Sequence, residues 1–150
     1  MEKESSIIKE MEVIYHPTKL PVERITSPLK SVNLIRQFYN PDKISVQEEC
    51  IVFYLNNNNV VTGFNRLSRG GISAVIVDIR LILATALKSL SSAVLIAHNH
   101  PSGNVKPSQQ DIDLTNRLNE ACKLMELSLL DHVIITHDSY YSFIEEGMIR

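Results

Sequence analysis

The residues able to do chemistry gather in one stretch, Ala97-His98-Asn99-His100-Pro101-Ser102-Gly103, followed by Ser108-Gln109-Gln110-Asp111. Side chains alternate along a strand, so His98 and His100 project to one face and Asn99 to the other. Two imidazoles this close cannot both hold a charge comfortably, but both can give a lone pair to one metal ion. Asp111 stands in the first turn of the next helix, where the chain can bring it back over the histidines. Two histidines and one carboxylate leave a fourth position for water, which is the pattern of a catalytic rather than a structural zinc site. Zinc lowers the pKa of bound water to about 7. A carboxylate nearby can then take the proton and hand it to a leaving amine. Glu48 and Glu49, at the start of the first strand, are the candidates for that base.

Simpler readings compete for the same residues. Ser108-x-x-Asp111 is also the spacing of a capping box, in which a serine and an acidic residue satisfy the first N–H groups of a helix. The two readings coexist if the Ser108 hydroxyl caps the helix and still faces the site. His132 follows Asp131 in an apolar run and reads as half of a satisfied core pair, while His16 and His137 read as loop residues. Cys50 and Cys122 are far apart, form no C-x-x-C, and read as small core residues in a reducing compartment. A zinc nucleobase deaminase needs H-x-E followed by P-C-x-x-C, and neither string occurs.

The elements that must carry these residues follow from periodicity. Residues 1–26 form an uneven N-terminal arm with a short strand expected around Glu12–Tyr15, and residues 27–150 form one domain. Ser27-Pro28 opens a helix carrying Leu34, Ile35 and Phe38, which Asn40-Pro41 is expected to end. Cys50–Leu55 and a run from Val60 through Phe64 read as two strands joined by an asparagine-rich turn. Gly70-Gly71 breaks the chain, and Asp78 caps a helix whose apolar stripe is Ile79, Ile82, Leu83, Ala86, Leu87 and Leu90. Ala93–Ala97 has the uninterrupted apolar character of a strand buried on both faces. A helix from near Ser108 places Leu114, Leu118, Ala121 and Met125 on one side, and Leu127–Thr136 is a second buried strand. Tyr140–Arg150 reads as an edge strand or a short helix. Hairpin, helix, strand, helix, strand is the order of an α/β domain with a mixed central sheet and flanking helices.

Bulk composition narrows the partners. The chain has 150 residues, a net charge of -2 and no strong basic run, so it has no bulk charge with which to hold nucleic acid. No apolar run is long enough to span a bilayer and no signal-peptide pattern follows Met1, so a cytoplasmic location and no membrane partner are expected. The second hairpin strand offers an edge with which a second copy could form a homodimer.

The string His98-x-His100-Pro101, then Ser108-x-x-Asp111, resembles the metal motif of the JAMM (MPN+, JAB) metalloproteases. The longer pattern is similar to the RadC-like branch: HNHPSG, PS..D, then Leu130-Asp131-His132 and Ser142-Phe143. The resemblance covers about residues 27–150 and implies an MPN (JAB)-like α/β domain. It implies that His98, His100 and Asp111 bind Zn2+ and that Ser108 stabilises an oxyanion. It also implies that Glu48, eight residues ahead of Asn56, is the general base. Glu49 would face the other way, so a one-residue change of register would exchange the two. The chain departs from the branch in having Arg80-Leu81 where Arg-Glu is common, and it is too short to include the helix-hairpin-helix region usual there. The expected function is hydrolysis of a peptide, isopeptide or amide bond in a peptide or protein substrate. The alternative is a DNA-repair-associated accessory or scaffold module with a structural metal.

Overall fold

The computed structural model describes residues 8–69 and 77–150, except the side chains of residues 68 and 69. Among these residues, five strands form one mixed sheet. They are β1 (Glu49–Leu55), β2 (Val61–Arg69), β3 (Ala93–Asn99), β4 (Ser128–Ile135) and β5 (Tyr140–Ser142), in the spatial order β2-β1-β3-β4-β5. Only β3 and β4 run parallel, and the other neighbours are antiparallel. The expected α/β fold with a mixed sheet is therefore the one observed.

Among the described residues, three helices cover the sheet. Helix α1 (Pro28–Arg36) is capped by Ser27, whose hydroxyl accepts from the Lys30 amide, with proline at its first position. It lies on one face, where Val32, Leu34 and Ile35 join Ile51, Phe53, Leu55, Leu95 and Ala97 in a buried cluster. Helices α2 (Ile79–Lys88) and α3 (Gln109–Leu124) lie on the other face. There Ile82, Ala86, Leu118 and Cys122 pack on Val52, Tyr54, Val94, Ile96 and Ile134. Both faces of β1 and β3 are buried, which is why these strands read as continuous apolar runs rather than alternating ones.

Several boundaries differ from the sequence expectation. Residues 12–15 form no strand. They are mostly exposed and have no partner strand among the described residues. The arm meets the sheet at residues 23–25, where Ile25 N–H donates to the Asn59 carbonyl and Val61 N–H to that of Glu23. Helix α1 stops at Arg36 rather than Asn40. Phe38 and Tyr39 leave the helix to enter the core, where Phe38 packs edge-on against both Phe53 and Phe64. Helix α2 stops at Lys88, which leaves Leu90 beyond it and 88% exposed, and Leu87, though inside the helix, is on its exposed side. Met125 is likewise the exposed cap of α3, whose buried stripe is Thr115, Leu118 and Cys122. The Gly70-Gly71 break falls outside the described residues. Of the two readings for the C-terminal segment, the edge strand forms, and residues after Ser142 continue in turns.

Candidate metal centre

The site sits where β3 ends. Cys50 pairs with His98 across the β1–β3 ladder, which puts Glu48 beside His100 on the α2/α3 face. The Pro101-Ser102-Gly103 turn, with Gly103 at a positive φ of 82°, sends the chain away from the sheet and α3 brings Asp111 back. His98 Nε2 and His100 Nε2 lie 2.9 Å apart. Asp111 places Oδ1 3.2 Å from the first and Oδ2 3.4 Å from the second. Zinc–nitrogen bonds of about 2.0–2.1 Å in a tetrahedron separate neighbouring ligand atoms by about 3.3 Å. The spacings among His98, His100 and the two Asp111 oxygens are near that value, so these donors are compatible with one zinc ion.

Glu48 is set back from this triangle, with Oε1 4.0 Å from His98 Nε2. One donor atom each from Glu48, His98 and His100 falls within 4.8 Å of the others. Glu49 faces the other way, where its Oε1 accepts from the Arg66 guanidinium at 2.6 Å. The Arg66 guanidinium also donates to the Phe38 carbonyl. Alternation along the strand separates the two glutamates.

The start of β1 is fixed by Asn99, which is fully buried on the α1 face. Its amide donates to the Ile44 and Gln47 carbonyls, and its oxygen accepts from the Glu49 amide at 2.7 Å. The Tyr39 hydroxyl adds a hydrogen bond to the Glu49 carbonyl at 2.8 Å. The residue between the two histidines thus holds the segment that carries Glu48. Its position between them was legible, but its partners 52 and 55 residues away were not.

Asp111 serves cap and site together. Its Oδ2 accepts from both the Ser108 amide and hydroxyl at 2.7 Å, while Ser108 Oγ accepts from the Asp111 amide. The capping box is complete, and it orients the carboxylate toward the histidines. Burial pushes the Asp111 carboxyl up. Hydrogen bonds from His100 and His98, the charge on His98 and the Ser108 amide outweigh this and hold it well below the usual carboxylate range. His100 is raised, chiefly by its hydrogen bond with Asp111 and against the effect of burial. Its Nδ1 faces the Asn104 carbonyl at 2.8 Å, which fixes a proton there and leaves Nε2 for the site.

His132 differs from the sequence expectation. It is buried and satisfied, but its ring does not pair with Asp131; its Nε2 lies 2.8 Å from His98 Nδ1 and its Nδ1 2.6 Å from Thr115 Oγ1. Burial pulls its pKa well below the ordinary histidine value. Asp131 faces away and accepts from the Ser142 hydroxyl and the Ile144 and His132 amides. Cys50 and Cys122 are free, buried thiols raised by burial, Cys122 to about 11, as core residues should be. His137 lies in the turn after β4, beside Asp138, and His16 in the arm.

The family model described as RadC-like JAB domain matches residues 25–148. A UPF0758 protein of Porphyromonas gingivalis is 47% identical over 104 residues, which is 69% of this chain and 46% of that protein. One from Flavobacterium johnsoniae is 43% identical over 101 residues, 67% of this chain and 44% of the relative. Another, from Streptococcus gordonii, is 36% identical over 124 residues, 83% of this chain and 54% of the relative. The chain spans about half the length of the curated relatives it matches.

Proposed function

The chain belongs to the RadC-like JAB domain family, and from that premise we propose that it is a zinc-dependent hydrolase of peptide, isopeptide or amide bonds. The observation that carries the reading is the convergence of His98 Nε2, His100 Nε2 and the Asp111 carboxylate, with the Glu48 carboxylate set back behind them. His98, His100 and Asp111 would hold the ion. Bound zinc would supply a Lewis acid for the scissile carbonyl and lower the pKa of a water in the fourth position.

The protein's own groups do the rest. Glu48 stands close enough to accept a proton from the attacking water and return it to the leaving nitrogen. Ser108 holds Asp111 in the structure; to donate to an oxyanion, its hydroxyl turns from Asp111 Oδ2 toward the substrate while its amide keeps the carboxylate in place. Three donors and a fourth position left over favour a catalytic over a purely structural metal, which favours the hydrolase over the accessory-module reading. A peptide or protein is the expected substrate, since the net charge of -2 gives nucleic acid little to hold.

The test is zinc content and turnover measured together. Wild-type protein is expected to carry about one zinc per chain and to cleave at least one member of a peptide, isopeptide and amide panel. Glu48→Gln keeps the zinc and loses turnover. Absence of zinc uptake by the wild type, or full activity in Glu48→Gln, overturns the reading.

A further inference from the structure

His132 and Thr115 take no part in the chemistry above, yet both are buried polar side chains beside the site. Their hydrogen bonds admit one consistent ordering of protons when read from the end that cannot change. The Asp111 backbone carbonyl can only accept, so the Thr115 hydroxyl donates to it at 2.7 Å. Thr115 Oγ1 is then the acceptor for His132 Nδ1–H at 2.6 Å. A ring with its single proton on Nδ1 presents a lone pair at Nε2, which accepts from His98 Nδ1–H at 2.8 Å. In the neutral ring that metal binding requires, this leaves His98 with its lone pair at Nε2, the atom that faces His100 and Asp111.

The backbone places His132 there by a one-residue irregularity. Val94 pairs with Leu129 but Leu95 pairs with Asp131, so β4 spends one extra residue at Leu130. Without it, Ile96 would face Asp131 and His132 would point to the α1 side. Bulges beside functional sites commonly re-aim a side chain in this way.

We propose that His132 and Thr115 are positioning residues for the metal centre. They hold His98 in its Nδ1–H tautomer, and they tie this donor on β3 to the backbone of Asp111 on α3. The inference deepens the zinc reading and rests on it. Outer partners of this kind typically change metal affinity 10–100-fold. A threonine that merely bonds back to the carbonyl four residues earlier would have no such effect.

The experiment is a zinc competition titration on the full chain, with imidazole 15N NMR of the metal-free protein alongside. Thr115→Val removes the hydroxyl at nearly constant volume, and Thr115→Ser restores it. Thr115→Val should weaken zinc about 10–100-fold and give His98 a mixture of tautomers. Thr115→Ser should bind as wild type does and show His98 protonated at Nδ1. His132→Phe, which keeps a ring against Phe143 but offers no acceptor, should weaken zinc at least as much as Thr115→Val. Wild-type zinc affinity in Thr115→Val overturns the proposal, even if that variant melts earlier. Should wild-type protein take up no zinc, the hydrolase reading fails, and the tautomer of His98 still decides this inference.

Discussion

Asp131 and His132 are adjacent in the chain and serve opposite sides of the sheet. Asp131 fastens the C-terminal segment through Ser142 and Ile144, while His132 stacks on Phe143 at 4.7 Å and reaches His98. The two separated strings, Leu130-Asp131-His132 and Ser142-Phe143, are thus packed partners. Burial raises the Asp131 carboxyl to about 6, despite the three hydrogen bonds it accepts. The folded protein therefore holds this proton more tightly than the unfolded chain does. Its contribution to stability is complete below the unfolded value of 3.8 and is lost as pH rises through about 6. At 1.36 kcal/mol per pH unit this amounts to roughly 2–3 kcal/mol. Asp131→Asn keeps an oxygen for the two amides and should flatten the stability profile between those pH values. Denaturant unfolding at pH 4 and pH 7 checks this; an unchanged slope would mean that Asp131 is ionised throughout.

Among the elements, the ends of helices account for most of the differences from sequence. The stripe of α2 continues in the sequence to Leu90, but the helix ends at Lys88 and Leu90 takes a left-handed φ of 54°. A left-handed conformation costs a non-glycine residue about 1–2 kcal/mol. Glycine removes that cost and returns some of it as entropy of the unfolded chain. Leu90→Gly should therefore stabilise the protein by roughly 0.5–1 kcal/mol, read as a higher midpoint in urea. A lower midpoint would show that the exposed leucine makes contacts that matter. Helix α3 began where its capping box predicted, because Ser108 and Asp111 act locally. Its buried stripe could not be assigned from hydrophobicity, because Thr115 is buried by two hydrogen bonds rather than by its methyl group.

For the molecule as a whole, the site and the core are largely separate. The two apolar clusters lie on either face of the sheet, and the metal-capable donors stand at the C-terminal end of β3. Loss of metal should therefore lower stability without unfolding the domain. At a free zinc concentration about 100 times Kd, binding adds about 2.7 kcal/mol. For a domain of this size that corresponds to roughly 5–10 °C in Tm. A chelator should lower the melting temperature by this much and leave far-UV circular dichroism at 25 °C unchanged. Loss of the spectrum on chelation would make the metal a folding element. Among the described residues, no helix is long and apolar enough to cross a membrane.

The strand and helix order, the buried strands and the His98, His100 and Asp111 spacing were all legible in the amino-acid sequence. These follow from local periodicity, turn chemistry and a capping box, all readable within a few residues. The sequence could not determine which of Asp131 and His132 would face His98. A single extra residue at Leu130 exchanges the two faces of β4, and only pairing with β3 fixes it. Nor could it show that Asn99 clamps residues 44–49, because those hydrogen bonds join segments about 50 residues apart. Spacing along the chain named the groups that could meet, and strand register and helix packing decided which of them do.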